Sequence, residues 1–203
     1  MSLRPIVAVA ALLLLTGCSS AVAPTPTPTP VETAPASSTP AIETRSAALQ
    51  PVRAAVPPIR VEVSSVGIDV AVVPVGIQAD GYMELPPDVA IAGWYKFGSD
   101  PGSPSGTTVI SAHVDSLEYG LGPFSQLKTL GVGAVISVSS ADGSRQDYSV
   151  ESVQSVLKSQ LPLAEIFDRE GDPRLVLITC GGQFDSEQLN YSDNIVVVAV
   201  PVQ

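Results

Sequence analysis

The chain has a single histidine, His113, and two cysteines, Cys18 and Cys180. Cys180 closes the run Arg174-Leu175-Val176-Leu177-Ile178-Thr179-Cys180-Gly181-Gly182, and His113 closes the run Thr107-Thr108-Val109-Ile110-Ser111-Ala112-His113. Short unbroken apolar runs of this kind read as strands buried on both faces. The two glycines after Cys180 remove side chains where the strand is expected to end, so the backbone can turn and another molecule can come close. A thiol and an imidazole at two strand ends, far apart in sequence, are the parts of a Cys–His nucleophile pair. The thiolate attacks a carbonyl carbon and the imidazole carries protons. The same cysteine would also serve as a small buried hydrophobe, the usual state of a free cysteine. Thr179 points to the opposite face of a regular strand, so packing with a bonded hydroxyl is expected of it. One cysteine and one histidine fall short of the four ligands of a structural zinc site. Neither a metal nor a cofactor is expected.

The elements that must carry this pair follow a segment of different character. Residues 1–17 read as a lipoprotein signal peptide. Arg4 supplies the positive start, and residues 6–15 form an apolar stretch too short to cross a bilayer as a helix. The stretch ends in Leu15-Thr16-Gly17-Cys18, which resembles the bacterial lipobox. That resemblance implies cleavage before Cys18 and a diacylglyceryl thioether on its sulfur. An ordinary secretory signal with an incidental cysteine is the other reading of the same residues. A lipidated Cys18 cannot pair with Cys180, which leaves Cys180 as an unpaired thiol outside the cell. Residues 18–58 form a linker containing Pro24-Thr25-Pro26-Thr27-Pro28-Thr29-Pro30. Proline-rich chain extends by about 3.1 Å per residue, so this linker can hold a domain on the order of 100 Å from a membrane. The protein is therefore expected at the extracellular face of the cell membrane, held by its lipid.

Residues 59–203 make one domain. It carries seven Lys/Arg against eighteen Asp/Glu, a net charge of −11, which argues against nucleic acid and anionic lipid as partners. Segments rich in Val and Ile predict strands over 59–64, 68–75, 107–113, 134–140, 145–157, 175–179 and 194–202. Ala141-Asp142-Gly143-Ser144 is a hairpin signal. Two short helices are expected over 123–130 and 162–168, each with proline in the first turn. Many short strands with few helices predict a mostly β sandwich or barrel.

Several parts of the domain, in order, resemble the sortases, the cell-surface cysteine transpeptidases of Gram-positive bacteria. They are Ala92-Gly93-Trp94-Tyr95, Pro101-Gly102, Ala112-His113-Val114-Asp115, Phe124-Ser125-Gln126-Leu127, Leu177-Ile178-Thr179-Cys180-Gly181-Gly182 and Tyr191-Ser192-Asp193-Asn194. Cys-Gly-Gly, the following Phe184-Asp185 and Tyr-x-Asp-Asn are most similar to the class F group of actinobacteria. The resemblance spans the whole of 59–203. It implies a closed sortase β-barrel with short helices in the connecting loops. It also implies that Cys180 attacks a carbonyl in a peptide sorting motif of surface proteins. A thioester acyl-enzyme forms, and an amine of the cell wall or a pilin resolves it. His113 would protonate the leaving amine. The segment 160–172 would wall the peptide groove.

One departure bears on activity. The family carries an arginine about a dozen residues after the cysteine, which polarises the substrate carbonyl. The matching position here is Ser192, a possible oxyanion or substrate contact whose hydroxyl donates a hydrogen bond but carries no charge. Either another basic residue (Lys96, Arg145, Lys158 or Arg174) fills the gap, or the chain is a catalytically impaired pseudo-sortase that binds peptides from a lipid anchor. Another cysteine enzyme, such as a cell-wall peptidase, would need the same pair but not the Tyr-x-Asp-Asn strand. Trp94 and Tyr95 are expected either to line the groove or to sit in the core. Asp115 either orients His113 or caps a loop, and Asp193 and Asn194 are expected to bond a turn.

Overall fold

The computed structural model describes residues 53–202. The signal segment 1–17, the lipidation site Cys18 and the linker up to residue 52 lie outside the described residues. Ten strands are present among the described residues: β1 (Pro58–Val63), β2 (Ile68–Val75), β3 (Ile91–Tyr95), β4 (Thr107–Ser111), β5 (Asp115–Ser116), β6 (Gly120–Leu121), β7 (Val135–Ser140), β8 (Arg145–Leu157), β9 (Arg174–Asp185) and β10 (Asn190–Pro201). Eight of them close into a barrel in the order β1-β2-β3-β4-β9-β10-β8-β7, with β7 returning to β1. β5 and β6 form a separate two-stranded hairpin. Most neighbours are antiparallel; β2–β3 and β4–β9 are parallel.

Alternation explains where the core sits. In β2, Ile68, Val70 and Val72 are buried while Asp69 and Ala71 are exposed, the period of two of a half-buried strand. The inward set fills the barrel with Val61, Ile110, Ile136, Tyr148, Leu177 and Val197, among others. Each fully buried Val, Leu or Ile contributes about 1.5–3 kcal/mol. A second, smaller cluster covers the outer face of β4, β9 and β10: Val109, Val176 and Val196 pack there against Ile166 and Phe167. Ile166 ends the single helical turn α1 (Leu163–Ile166), so segment 162–168 acts as a lid on that face. The doubly buried reading of the two apolar runs follows from these two clusters, one on each side of β4 and β9.

The predicted strands correspond to β1, β2, β4 and β7–β10. Both glycine-flanked ends differ. The Cys180 strand does not stop at Gly181-Gly182 but runs on to Asp185, and β10 begins at Asn190, four residues before the predicted start. At the other site element, β4 ends at Ser111, so His113 stands two residues past it. β3 was not predicted. Its Ile-Ala-Gly-Trp-Tyr sequence has low β propensity at Ala92 and Gly93 and no alternation. Gly93 is required there because a Cβ would lie 2.8 Å from the Val75 Cγ2 methyl. The 123–130 segment is a 3₁₀ helix over Pro123–Thr129, with Phe124 and Leu127 in the core. The predicted hairpin joins β7 to β8, with the Ser144 amide donating to Asp142 Oδ1 at 2.9 Å. Residues 53–57 also bond to the domain. The Arg53 guanidinium and the Val56 amide donate to the carboxylate of Asp100, which is buried, and the Ala141 amide donates to the Pro57 carbonyl at 2.9 Å.

Candidate active site

The β4–β9 ladder brings the histidine and cysteine segments together. Its parallel register pairs Thr108 with Leu175, Ile110 with Leu177 and Ser111 with Ile178. Three further bonds carry the alignment beyond the strand. The Ser111 hydroxyl donates to the Ile178 carbonyl at 2.9 Å, the Ala112 amide donates to the same carbonyl at 3.2 Å, and the Thr179 hydroxyl donates to the Ala112 carbonyl at 2.8 Å. One residue further on each segment stand His113 and Cys180. Parity along β9 puts Cys180 on the outer face, and His113 lies two residues past the end of β4. Ile110 and Ala112 belong to the barrel interior and Val109 to the outer cluster. Leu175 and Leu177 point inward, and Val176 and Ile178 outward. His113 and Cys180 are each half-buried, and the Cys180 thiol is free.

Thr179 faces the interior and is 2 % exposed, with its hydroxyl bonded. It is a packing residue that also ties the two segments. Thr179→Val keeps the shape but removes the donor to the Ala112 carbonyl. An unmet buried acceptor costs about 1–3 kcal/mol, so a fall of that size in unfolding free energy is expected from denaturant titration. An unchanged midpoint would contradict this role.

β10 lies on the other side of β9. Its antiparallel register pairs Asn194 directly with Cys180, Asp193 with Gly181 and Tyr191 with Phe184. Two residues of β9, Gly182 and Gln183, therefore face the single Ser192, which makes a bulge. Gly182 has φ +78°, and a Cβ there would fall 2.4 Å from Ser192 Oγ, so glycine fits for both reasons. The Ser192 hydroxyl accepts the Gln183 amide at 3.0 Å and donates to Asp193 Oδ1 at 2.6 Å. It is engaged in holding the bulge. Asp193 also accepts the Ser155 hydroxyl at 2.7 Å, and both bonds hold its carboxyl below the usual carboxylate range.

The hydroxyl of Tyr191 donates to Asp115 Oδ2, linking β10 to β5, two residues past His113. That bond is the main reason the phenol is pushed up to about 12; burial and the negative charges of Asp115 and Cys180 add to it. Asp115 thus holds Tyr191. The Phe184 ring leans on the Tyr191 ring at 5.0 Å between centroids. Beside them a groove of about 610 Å³ opens, lined by Lys158, Gln183, Phe184, Asn190, Tyr191 and Ser192 among others. Trp94 is buried, its indole N–H donating to the Ser99 carbonyl at 3.0 Å, and Tyr95 packs edge-on against Phe167 at 5.0 Å. Neither lines this groove. Asn194 was expected to bond a turn at the start of the last strand; its place opposite the thiol follows from the β9–β10 register, which a bulge displaces by one residue.

The four basic residues stand apart from the thiol. Arg174 begins β9, at the far end from Cys180. Arg145 is paired with Glu62 and Asp147. The Lys96 ammonium sits 5.2 Å from the centre of the Phe97 ring. The Lys158 ammonium donates to Asn190 Oδ1 in the groove that Ser192 also lines.

Comparison with known proteins agrees with this architecture. The model of the sortase domain matches residues 61–202. Among solved structures, the chain is similar to sortase C-1 from Actinomyces oris (21% identity, TM-score 0.55, 71% of each chain covered). It is also similar to a lid mutant of Streptococcus agalactiae sortase C1 (17% identity, TM-score 0.54, 71% of this chain and 68% of the other). A third similar structure is sortase A from Corynebacterium diphtheriae (20% identity, TM-score 0.53, 74% and 63%). No curated protein matches by sequence. At these identities the structures speak for the fold, a closed eight-stranded barrel with few short helices. The domain match covers most of the chain, and with it the protein belongs to the sortase family.

Proposed function

We propose that this protein is a surface-anchored cysteine transpeptidase of the class F type. It cleaves a peptide sorting motif of surface proteins and transfers it to an amine of the cell wall or a pilin. The observation that supports this reading is the β4–β9 register with the Thr179–Ala112 bond, which joins the residues immediately before His113 and Cys180. The Cys180 thiolate attacks the scissile carbonyl, His113 protonates the departing amine, and the thioester waits for an incoming amine that His113 helps deprotonate. The substrate peptide lies along the groove bordered by Phe184 and Tyr191, and the exposed Leu117, Tyr119 and Leu121 of the β5–β6 hairpin offer apolar contacts near His113.

The experiment is cleavage of a sorting-motif peptide library with an added amine acceptor, followed by mass spectrometry. Transfer to the amine supports the reading. A second reading, a pseudo-sortase that binds such peptides from its anchor, is favoured by one observation: the Ser192 hydroxyl is tied to Gln183 and Asp193, and among the described residues no cation is bonded at that position. Binding without cleavage in the same assay would select it.

The anchor is part of the proposal. Residues 1–17 are a signal peptide, Cys18 takes the lipid, and residues 18–58 space the domain from the extracellular face of the membrane. Two or more acyl chains, at about 0.8 kcal/mol per buried methylene, suffice for stable anchoring. Cys18→Ala is expected to move the protein from the membrane fraction to the soluble fraction or to block its processing. Identical processing and membrane retention would refute the lipid.

A further inference from the structure

We propose that Asn194 is a catalytic residue whose carboxamide N–H donates to the substrate carbonyl oxygen as Cys180 adds to the carbon. The inference rests on the transpeptidase reading above and supplies the oxyanion donor that reading lacks.

Asn194 and Cys180 are directly opposed in the β9–β10 ladder. Opposed residues of an antiparallel pair send their side chains to the same face, with Cβ atoms about 4.5–5.5 Å apart. The parity of β10 agrees. Ile195, Val197 and Ala199 fill the barrel, while Val196 and Val198 join the outer cluster with Val176 and Ile178, so Asn194 leaves β10 on the side from which Cys180 leaves β9. His113 follows β4, which flanks β9 on the side opposite β10. The thiol is thus flanked by a proton carrier on one side and an amide donor on the other.

The neighbours that could compete are engaged. Ser192 bonds Gln183 and Asp193, and Asp193 bonds Ser192 and Ser155. Among the described residues no hydrogen bond uses the Asn194 carboxamide, which is half-buried at the rim of the outer cluster. Of the basic residues weighed, Arg174 is distant and Lys158, which follows the Leu157 paired with Asp193, has its ammonium engaged elsewhere. Arg174 lies six residues back along β9, about 20 Å at 3.3 Å per residue. Lys158 is bonded to Asn190, whose partner in the ladder is Asp185, five residues beyond Cys180. A neutral donor held by two strands is what the site presents to a developing negative charge.

The step balances without any further group. The sulfur electron pair forms the S–C bond while the C=O π pair moves onto oxygen, where Asn194 Nδ2–H donates to it. Collapse re-forms the C=O and breaks the C–N bond, and the leaving nitrogen takes its proton from the His113 imidazolium. The products are a thioester, a free amine and neutral imidazole.

The test compares wild type with Asn194→Ala and Asn194→Leu, the latter keeping approximate size while removing the donor without adding charge. Removing one such donor typically lowers kcat by about 10²–10³-fold. That loss is expected in both variants on a cleavable sorting peptide, with KM little changed and with the rate of Cys180 alkylation by iodoacetamide and the thermal midpoint unchanged. Should Asn194→Ala fail to fold, Asn194→Leu carries the same readouts. A kcat within about twofold of wild type overturns the proposal. So does a parallel loss of alkylation rate, which would place Asn194 with the thiol's own environment. Wild-type protein that cleaves no peptide while Cys180 still alkylates contradicts the transpeptidase reading itself, and the role of Asn194 falls with it; a wild type that cleaves beside an unaffected variant contradicts Asn194 alone.

Discussion

Cys180→Ala is expected to lower sorting-peptide cleavage by on the order of 10⁴–10⁶-fold, the loss that follows removal of a covalent nucleophile. The size comes from the chemistry. Without a sulfur there is no thioester, and the two-step path collapses to direct attack of an amine or water on a peptide carbonyl. The fold should not share in the loss. Cys180 lies on the outer face, half-buried, outside both hydrophobic clusters, and alanine retains the backbone bonds of β9. Circular dichroism and a thermal midpoint near that of wild type, alongside abolished cleavage, is the expected pair of results. Retained cleavage would mean that the thiol is not the nucleophile.

His113→Gln is expected to cost about 10²–10⁴-fold on an amide substrate, the usual contribution of a positioned acid–base group. The loss should depend on the leaving group. An amide nitrogen must be protonated to depart, whereas an alkoxide from an ester leaves more readily. The variant is therefore expected to recover much of its acylation rate on an ester analogue of the same peptide. Equal losses on amide and ester would assign His113 to holding the fold or the thiol rather than to proton transfer. The expectation rests on the place of His113, one residue past the Ala112 carbonyl that the Thr179 hydroxyl fixes.

The barrel was legible where hydrophobic pattern controls structure. β2 and β8 match their predicted limits: buried Ile68, Val70 and Val72 alternate with exposed Asp69 and Ala71 in β2, and the Asp142-Gly143 turn marks the start of β8. β3 was hidden, since Ala92 and Gly93 are chosen for close packing against Val75 rather than for strand propensity. The extension of β9 and β10 past the glycines was hidden for another reason. Residues 181–193 are mostly polar and half-buried to exposed, and their pairing is carried by backbone bonds and a bulge that leave no periodic signature. The site divides in the same way. His113 and Cys180 stand out as the sole histidine and the unpaired thiol, but their alignment depends on parallel pairing between segments 67 residues apart in sequence. Counting from the cysteine leads to Ser192; the hairpin register leads to Asn194, two residues further on. Only the folded ladder distinguishes the two.

The central claim is that Cys180 carries the substrate acyl group with His113 at its side. It is tested most directly by mixing the domain with a sorting peptide, quenching in acid and locating the adduct by peptide mass spectrometry. A thioester on Cys180 is predicted, released by an added amine and absent from Cys180→Ala. Turnover of the peptide with no adduct on Cys180 at any quench time, or an adduct on another residue, would contradict it.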